Sequence, residues 1–544
     1  MLREFVTSAC KKAAALFLAV TVVAGTTPAF ARDSFGGTAT PIKHLVIIFQ
    51  ENVSFDHYFG TYPNAMNPAG EPVFFARPGT PTVNGLQGAL LNSNPNLLNA
   101  ANAAGATNPF RLDRSQAATA DQGHNYGPEQ AAAHAGLMDL FPKSVGTAGP
   151  PPNAPPQIVT TKGLVMGYYD GNTVTALWNY AQHFAMSDNS YDTTFGPSTP
   201  GLLNLVSGQT NGIAQILNGT GSETDGGNGS LTVIGDPDPV GDVCSAPTRN
   251  QVQMSGKSVG DLLSAAGVTW GSFMGGFDLT AKNANGTTGC LRSSTSAVTG
   301  TTGDYIPHHA FFQYFASTLN AAHTRPASVW EIGHEGVANH EYDVNDFFAA
   351  VKAGNFPAVS FLKAQAFQDG HAGYSNPLDE QTFIVNLVNF LQKSHEWDET
   401  AVVVMYDDSD GWYDHQLGPI VNQSTSPADA LSGPGACGDG SAALSGPDAS
   451  TNAHAQGRCG YGPRQPLLVI SPWAKENFVD HTVTDLTSVT RFIEDNWLGG
   501  QRIGTGTFDN LANPINQMFD FRHHSEDGRR LFLDPSTGEP AHSF

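Results

Sequence analysis

The chain has 544 residues, and its 26 Lys and Arg against 49 Asp and Glu give a formal net charge of −23. This acid excess argues against a nucleic-acid partner, because a phosphate backbone is bound by basic surface, and against a polybasic membrane surface. The 59 Gly and 35 Pro predict many ordered loops, while 40% hydrophobic residues allow a large core.

The N-terminal segment has the pattern of a secretory signal peptide. Basic residues come first, an apolar run covers residues 13–25, and a small-x-small cleavage site ends at Ala31. The run is short for a membrane span, and no later stretch is apolar enough to be one. The sequence therefore predicts removal of residues 1–31, a secreted or periplasmic protein without a transmembrane segment, and one domain over residues 32–544.

Four cysteines remain after the signal peptide, namely Cys244, Cys290, Cys437 and Cys459. In an oxidising compartment they can form two disulfides. Nearest-neighbour pairing, Cys244 with Cys290 and Cys437 with Cys459, would close two loop-rich insertions, and the other two pairings stay open. No C-x-x-C spacing occurs, which disfavours a zinc site.

Four apolar runs of strand length predict strands covered on both faces, as in a parallel sheet. They cover residues 42–49, 358–362, 401–406 and 467–471. Helical patterns at residues 383–391 and 486–493 alternate with them, so we expect an α/β sandwich. Turn-rich stretches predict long loop insertions at residues 80–109, 146–157, 219–230 and 423–457.

Two residue pairs with oxygen-bearing side chains directly follow two of these strands. They are Glu51-Asn52 and Asp407-Asp408. Ligand sites in open α/β sheets lie at the carboxyl ends of strands, and adjacent carboxylates repel unless a cation or proton separates them. Oxygen ligands favour Ca²⁺, Mg²⁺ or Mn²⁺, with iron or zinc as alternatives. The alternative for Glu51-Asn52 is an ordinary turn that ends the strand, and the alternative for Asp407-Asp408 is an acidic surface loop.

Ser198 lies in Gly-Pro-Ser-Thr-Pro, just before an apolar run at residues 201–206 that predicts a helix. The free N–H groups and dipole at a helix N-terminus stabilise an alkoxide or a bound phosphate. An N-cap is the common role for such a serine. A metal beside it would instead lower the hydroxyl pKa and make Ser198 a nucleophile.

Four histidines lie in loop-like segments flanked by Gly or Pro, and the candidate motifs contain neither Lys nor Arg. The histidines are His124, His308, His309 and His371. Such imidazoles can donate to phosphate oxygens or protonate a leaving group, and together they favour an acid working pH. Taken alone, each of them more often has a structural role.

Four segments together resemble a bacterial phosphoesterase family, which holds non-haemolytic phospholipases C and respiratory-burst-inhibiting acid phosphatases. In family order they are IKHLVIIFQENVSFDHYFGTYP, FGPSTPGLLNLVSGQTNG, YDDSDGWYDH and GYGPRQPLLVISPWAK. The resemblance extends from residue 42 to about residue 519. It implies an alkaline-phosphatase-like sandwich, with residues 32–544 as a single catalytic domain.

The same resemblance implies one divalent metal ion held by Glu51, Asn52, Asp407 and Asp408. It makes Ser198 the nucleophile, also in contact with the metal, and places the four histidines at phosphate-contacting positions. The implied activity is a secreted acid phosphatase of broad specificity that works through a phosphoserine.

Two alternatives stay open, a phospholipase C acting on phosphatidylcholine-like lipid head groups and a catalytically inactive binding protein. Serine at position 198 is similar to the acid phosphatase branch, since many family phospholipases have threonine there. The chain also lacks the large C-terminal extension of the longer phospholipases. Val53 replaces an arginine that is common in the family, and Leu202 replaces the arginine of the sulfatase signature, which disfavours a sulfatase.

Overall fold

The computed structural model describes residues 37–149, 162–439, 444, 455–522 and 528–541. The predicted signal peptide, residues 1–31, lies outside the described residues, and the single domain over residues 32–544 stays a prediction. Within the described residues, no helix combines the length and the apolar character that a bilayer span requires.

A central sheet of eight strands organises the described part of the chain. Its strands are β1 His44–Gln50, β2 Ala185–Ser187, β3 Trp270–Met274, β4 Glu341–Asp343, β5 Val359–Lys363, β6 Thr400–Tyr406, β7 Leu467–Ile470 and β8 Phe478–Asp480. Their spatial order is β4-β3-β5-β1-β6-β7-β2-β8. Neighbours are parallel except at β7, which is antiparallel to both β6 and β2. The predicted α/β fold with a mostly parallel sheet is confirmed.

All four apolar runs form strands of this sheet, but β7 differs from the expected parallel direction. Val46, Val403 and Val469 are fully buried in their three strands. A continuous apolar run reports that both faces of a strand are covered, and it carries no information on strand direction.

Helices cover the sheet, and both predicted helical patterns are helices. The α-helices are α1 Phe55–Phe59, α2 Ala89–Asn92, α3 Pro95–Leu98, α4 Tyr126–Ala133, α5 Phe141–Ser144, α6 Thr175–His183, α7 Ser198–Ser207, α8 Val259–Ala265, α9 Val344–Lys352, α10 Pro377–Leu391 and α11 Thr487–Trp497. The Asn376 side chain caps α10 by accepting from two backbone N–H groups, and Pro377 takes the first helical position. Helices α2 and α3 lie in the segment 80–109, which we predicted as a loop insertion.

Short strands form small sheets outside the central one. They are Phe110–Arg111, Asp121–Gln122, Thr147–Gly149, Gly167–Tyr168, Ser190–Tyr191, Ile213–Leu217, Glu223–Asp225, Leu231–Val233, Asp238–Pro239, Gln251–Met254, Ser293–Ser296, Gly300–Gly303 and Thr484–Asp485. Two disulfides join Cys244 to Cys290 and Cys437 to Cys459, with Cα atoms 5.3 and 5.8 Å apart. The nearest-neighbour pairing is therefore confirmed.

Candidate active site

Three consecutive parallel strands bring charged residues together at their carboxyl ends, on one side of the sheet. Strands β5, β1 and β6 are neighbours. Lys363 ends β5, Glu51 and Asn52 follow β1, and Asp407 and Asp408 follow β6. The backbone N–H of Asn52 donates to Oδ1 of Asp407 at 3.0 Å, which joins the two loops. The two predicted pairs thus lie side by side at the carboxyl ends of the strands, where α/β proteins bind ligands. We call the carboxylates of Glu51, Asp407 and Asp408 at this place the acidic edge.

Ser198 reaches the same edge from α7. It is the first residue of that helix, and its side chain is buried. Its Oγ lies 3.0 Å from Oε2 of Glu51 and 3.2 Å from Oδ2 of Asp408. The N-cap position belongs to Pro197, so Ser198 does not cap the helix. Its hydroxyl instead contacts two carboxylates at the positive end of the helix dipole.

Two features hold α7 against the acidic loop after β6. A Cβ at Gly201 would overlap the carbonyl oxygen of Asp407, so only glycine allows the helix to approach this closely. Glu129, in α4, accepts a hydrogen bond from the Gly196 backbone at 3.0 Å and another from the Ser409 hydroxyl at 2.5 Å. Burial raises the pKa of Glu129 to about 7. This side chain joins the segment before the serine to the acidic loop, and none of the predicted motifs contains it.

The carboxylates at this edge carry more negative charge than their protein neighbours offset. Burial raises the pKa of Glu51 well above its usual value, and the charge of Asp407 raises it further. Burial likewise raises the pKa of Asp408 well above its usual value. Burial also acts on Asp407, but the positive charge of Lys363 and the hydrogen bonds that the carboxylate accepts together outweigh it, so the pKa of Asp407 is lowered. Such a cluster favours an added cation.

Lys363 adds a cation to the site from outside the predicted motifs, which contain no Lys or Arg. Its ammonium forms an ion pair with Oε1 of Glu51 and another, at 3.2 Å, with Oδ2 of Asp407. The side chain is 1% exposed. We predicted a strand that stopped one residue earlier, at residue 362. A charged residue at the carboxyl end of a buried strand is the signal that would have identified it.

The oxygen atoms at this edge fit a hard divalent cation. The Asn52 amide nitrogen donates to Oδ1 of Asp410 at 3.1 Å, while the buried Oδ1 of Asn52 has no hydrogen-bond partner among the described residues. Carboxylate, amide and hydroxyl oxygens are the ligands that Ca²⁺, Mg²⁺ and Mn²⁺ prefer. The residues that could hold such an ion are Glu51, Asn52, Ser198, Asp407 and Asp408.

His308 and His309 lie in a short 3₁₀ turn beside the serine. Nδ1 of His309 is 3.2 Å from Oε1 of Glu51. Nδ1 of His308 is 3.7 Å from Oδ1 of Asp238, and the His308 carbonyl accepts from the Thr199 hydroxyl at 3.4 Å. Burial, reinforced by neighbouring positive charge, lowers the pKa of His309 well below its usual value.

His124 and His371 form a second pair, with ring centroids 5.9 Å apart. Nδ1 of His124 is 3.0 Å from Oδ1 of Asp410. Burial opposes protonation of His124, but the carboxylates of Asp408 and Asp410 outweigh it and raise its pKa well above the usual value. Burial lowers the pKa of His371. The pKa of His124 is thus raised while those of His309 and His371 are lowered, a difference that the sequence did not show. Asp121, His124 and His371 each offer one atom that could bind a metal ion, and these three atoms lie within 4.8 Å of one another.

Comparison with known proteins places this geometry in a family. The Phosphoesterase family matches residues 42–498, a range that contains the three strand ends and Ser198. The chain belongs to the phosphoesterase family. The predicted enzyme class, a hydrolase acting on phosphoric ester bonds, is confirmed at the level of this family.

Relatives of this phosphoesterase include several phospholipases C. Non-hemolytic phospholipase C of Pseudomonas aeruginosa is 26% identical over 520 residues, which cover 89% of this chain and 59% of that protein. Phospholipase C A of Mycobacterium tuberculosis is 26% identical over 504 residues, covering 90% of this chain and 79% of that protein. Non-specific phospholipase C6 of Arabidopsis thaliana is 20% identical and covers 81% of this chain.

Solved structures with partial similarity include murine ectonucleotide pyrophosphatase/phosphodiesterase 5. It is 11% identical, covers 64% of this chain and 95% of that one, and has a TM-score of 0.29. A protein in the alkaline phosphatase superfamily from Vibrio parahaemolyticus is 12% identical, covers 77% of this chain and 78% of that one, and also has a TM-score of 0.29. Family membership therefore rests on the sequence match and not on these structures.

Proposed function

We propose that this phosphoesterase is a secreted, metal-dependent acid phosphatase of broad specificity that works through a phosphoserine at Ser198. The observation that carries the proposal is the position of the Ser198 hydroxyl. It lies at the N-terminus of α7, within 3.2 Å of carboxylates from two different strand ends. A nucleophile, its proton acceptors and a set of hard ligands are thus assembled in one buried place.

The residues of the chain divide the reaction between them. Oγ of Ser198 attacks phosphorus as the bond to the leaving oxygen breaks, and its proton passes to the carboxylate of Glu51 or Asp408. A histidine protonates the leaving oxygen, and of His308, His309 and His371 we assign this role to His308, because the lowered pKa values of His309 and His371 favour their neutral forms. Water then cleaves the phosphoserine, which releases phosphate and restores the hydroxyl.

Two kinds of fixed charge support these steps. The backbone N–H of Ser198, the positive end of the α7 dipole and the side chain of His124 would face the negative charge on the phosphate oxygens. A divalent ion held by Glu51, Asn52, Asp407 and Asp408 would supply Lewis-acid activation of the hydroxyl. The ligand set favours Ca²⁺, Mg²⁺ or Mn²⁺.

A second candidate is a phospholipase C that cleaves phosphatidylcholine-like lipids. The names of the curated relatives favour it, and it would use the same serine and acidic edge. The chain spans 59% of the length of the Pseudomonas relative, so the activity of that whole protein is a proposal here. The two candidates differ in the substrate that must reach Ser198.

The test is a substrate panel on purified protein of known metal content. We expect hydrolysis of a soluble aryl phosphate below neutral pH, lost on chelation and restored by one of the divalent ions. Release of phosphocholine from phosphatidylcholine vesicles, without aryl phosphate hydrolysis, would select the phospholipase. An optimum clearly above pH 8 would contradict an acid phosphatase. No turnover of either substrate with metal supplied would leave the inactive binding protein.

A further inference from the structure

We infer that Lys363 is a resident counter-ion that holds the acidic edge together when no divalent ion is bound. It is a positioning residue, because it contacts the carboxylates and not the serine. The inference rests on the proposed function only for the existence of the metal site.

Lys363 is held between two strand ends and two aromatic rings. Its ammonium pairs with Glu51, after β1, and with Asp407, after β6. It also lies 5.0 Å from the ring centroid of Phe49 and 5.8 Å from that of Phe311. These distances allow cation–π attraction. One buried side chain from β5 thus fixes carboxylates that follow β1 and β6, the next two strands of the sheet.

The lysine and the serine use opposite sides of Glu51. Lys363 contacts Oε1, whereas the Ser198 hydroxyl contacts Oε2 at 3.0 Å. Asp408, the other carboxylate at the serine, has a 3.2 Å contact with that hydroxyl. The ammonium therefore leaves Oε2 of Glu51 and Oδ2 of Asp408 facing the nucleophile, where an incoming cation would bind.

The charge balance explains why a permanent cation is needed behind the site. Asp369 lies beside the acidic edge, since its backbone carbonyl accepts from the Glu51 N–H at 2.8 Å. With Glu51, Asp407 and Asp408 it makes four buried carboxylates. Among the described residues, Lys363 is the one Lys or Arg in an ion pair with any of the four. Without it, carboxylates from neighbouring strands would repel at short range in a medium that screens poorly.

The first test compares metal-free Lys363→Met with Lys43→Met. Lys43 precedes β1 at the opposite end of the same strands and pairs with Glu399 at 2.6 Å, with both side chains more than 40% exposed. After chelation, Lys363→Met should lower the melting temperature by about 3–5 °C. Lys43→Met should change it by less than about 1 °C. Equal losses in the two variants would overturn the inference.

The second test is the affinity for Mn²⁺, titrated into chelated protein. Removal of a positive charge beside the ion removes repulsion, so Lys363→Met should bind Mn²⁺ at least about tenfold more tightly than wild type. A residue that only packs the site would show the opposite sign, because a loosened cage binds metal more weakly. Unchanged or weaker binding would therefore overturn the counter-ion role.

A double variant keeps the inference testable if Lys363→Met does not fold. Lys363→Met with Asp407→Asn removes the lysine and one carboxylate that it offsets, so the metal-free double variant should fold and melt within a few degrees of Asp407→Asn alone. A double variant that also fails to fold would count against the inference. Absence of phosphoester turnover in wild type would overturn the proposed function, while metal-free stability would still decide the role of Lys363.

Discussion

Two buried clusters of acids follow the same two strands, and they differ in how their charge is balanced. The acidic edge contains Glu51, after β1, with Asp407 and Asp408, after β6. A second group, which we call the arginine cluster, comprises Asp56, Asp414, His415 and Arg464. Asp56 lies five residues beyond Glu51, and Asp414 lies six beyond Asp408.

The arginine cluster is saturated by protein partners. Arg464 contacts Asp56 at 3.0 Å and Asp414 at 3.1 Å, and His415 contacts Asp56 at 2.6 Å. Burial would raise the pKa of Asp56, but the positive charges of His415 and Arg464 outweigh it and lower the pKa. These contacts give two acids two cationic partners, so the cluster holds loops together and needs no ligand.

The acidic edge is not saturated. It has one lysine for several carboxylates, and it has an amide oxygen, on Asn52, without a hydrogen-bond partner among the described residues. Buried polar atoms are almost always satisfied unless a ligand completes them. Balance of charge, and not burial or the number of acids, therefore separates the binding site from the structural cluster.

The largest expected effect is on the nucleophile. Ser198→Ala should reduce kcat for an aryl phosphate by about 10⁴-fold or more, since the attacking oxygen is removed. Ser207→Ala, at the other end of α7, is the matched control. Its hydroxyl donates to the backbone carbonyl of Leu203, so its rate should stay near that of wild type. Near-normal turnover by Ser198→Ala would show that another group attacks phosphorus.

The two clusters should respond differently to loss of one acid. Asp408→Ala should lower the affinity for divalent metal by more than about 100-fold and abolish activity with it, because a ligand is lost. Asp414→Asn should lose stability but keep its metal. Elemental analysis and metal titration on both variants provide the measurement. Equal metal loss from both would contradict the distinction between the clusters.

Replacement of Arg464 in the arginine cluster should lower the stability of the fold and leave the rate of phosphoester hydrolysis unchanged. Arg464→Met leaves Asp56 and Asp414 without their shared partner, and we expect a loss of about 3–5 kcal/mol in the free energy of unfolding. The rate per folded, metal-loaded molecule should change little. Denaturant unfolding and active-site titration measure the two quantities separately. A large fall in kcat with unchanged stability would reverse the assignment.

Glu380 lies in neither cluster and is a buried acid that keeps its proton. It accepts hydrogen bonds from Tyr58 at 2.9 Å and Tyr406 at 2.6 Å, and burial raises its pKa from 4.5 to about 8. The folded state holds this proton more tightly than the unfolded state. Its stabilising contribution is therefore complete below pH 4.5 and is lost as pH rises towards 8.

The corresponding variant should flatten that pH dependence. Glu380→Gln should remove a slope of at most about 1.4 kcal/mol per pH unit from the stability curve between pH 4.5 and 8. Denaturant melts of both proteins across this window provide the measurement. A wild-type curve that rises with pH as steeply as that of the variant would mean that Glu380 is charged in the folded protein.

The sequence predicted those parts of the site whose structure is determined by the local pattern of residues. Unbroken apolar runs identify buried strands, and the first polar residues beyond them must lie at the sheet edge, which located Glu51 and Asp408. The start of α7 was predictable from Ser198 and the apolar run behind it. The catalytic and ligand roles of these residues remain predictions.

The other parts of the site and fold could not be predicted, because they depend on contacts between segments that are far apart in the sequence. Glu129 approaches the site only because the fold brings α4 beside it, and nothing near this residue in the sequence indicates that. Lys363 had a local signal, its position at the carboxyl end of a buried strand, but its ion pairs with residues after β1 and β6 depend on the fold. The direction of β7 was missed because burial is the same for both directions. Helix α3 was missed although Asn94, before Pro95, accepts from the backbone of Asn96 as an N-cap.

Chemical trapping tests the role of Ser198 at the acidic edge most directly. Metal-loaded protein is mixed with an aryl phosphate, quenched in acid and analysed by peptide mass spectrometry. We predict one phosphate group on the peptide that contains Ser198, and none in the Ser198→Ala or Asp408→Ala variants. Phosphate on another residue, or steady turnover with Ser198 never modified, would contradict a phosphoserine at this site.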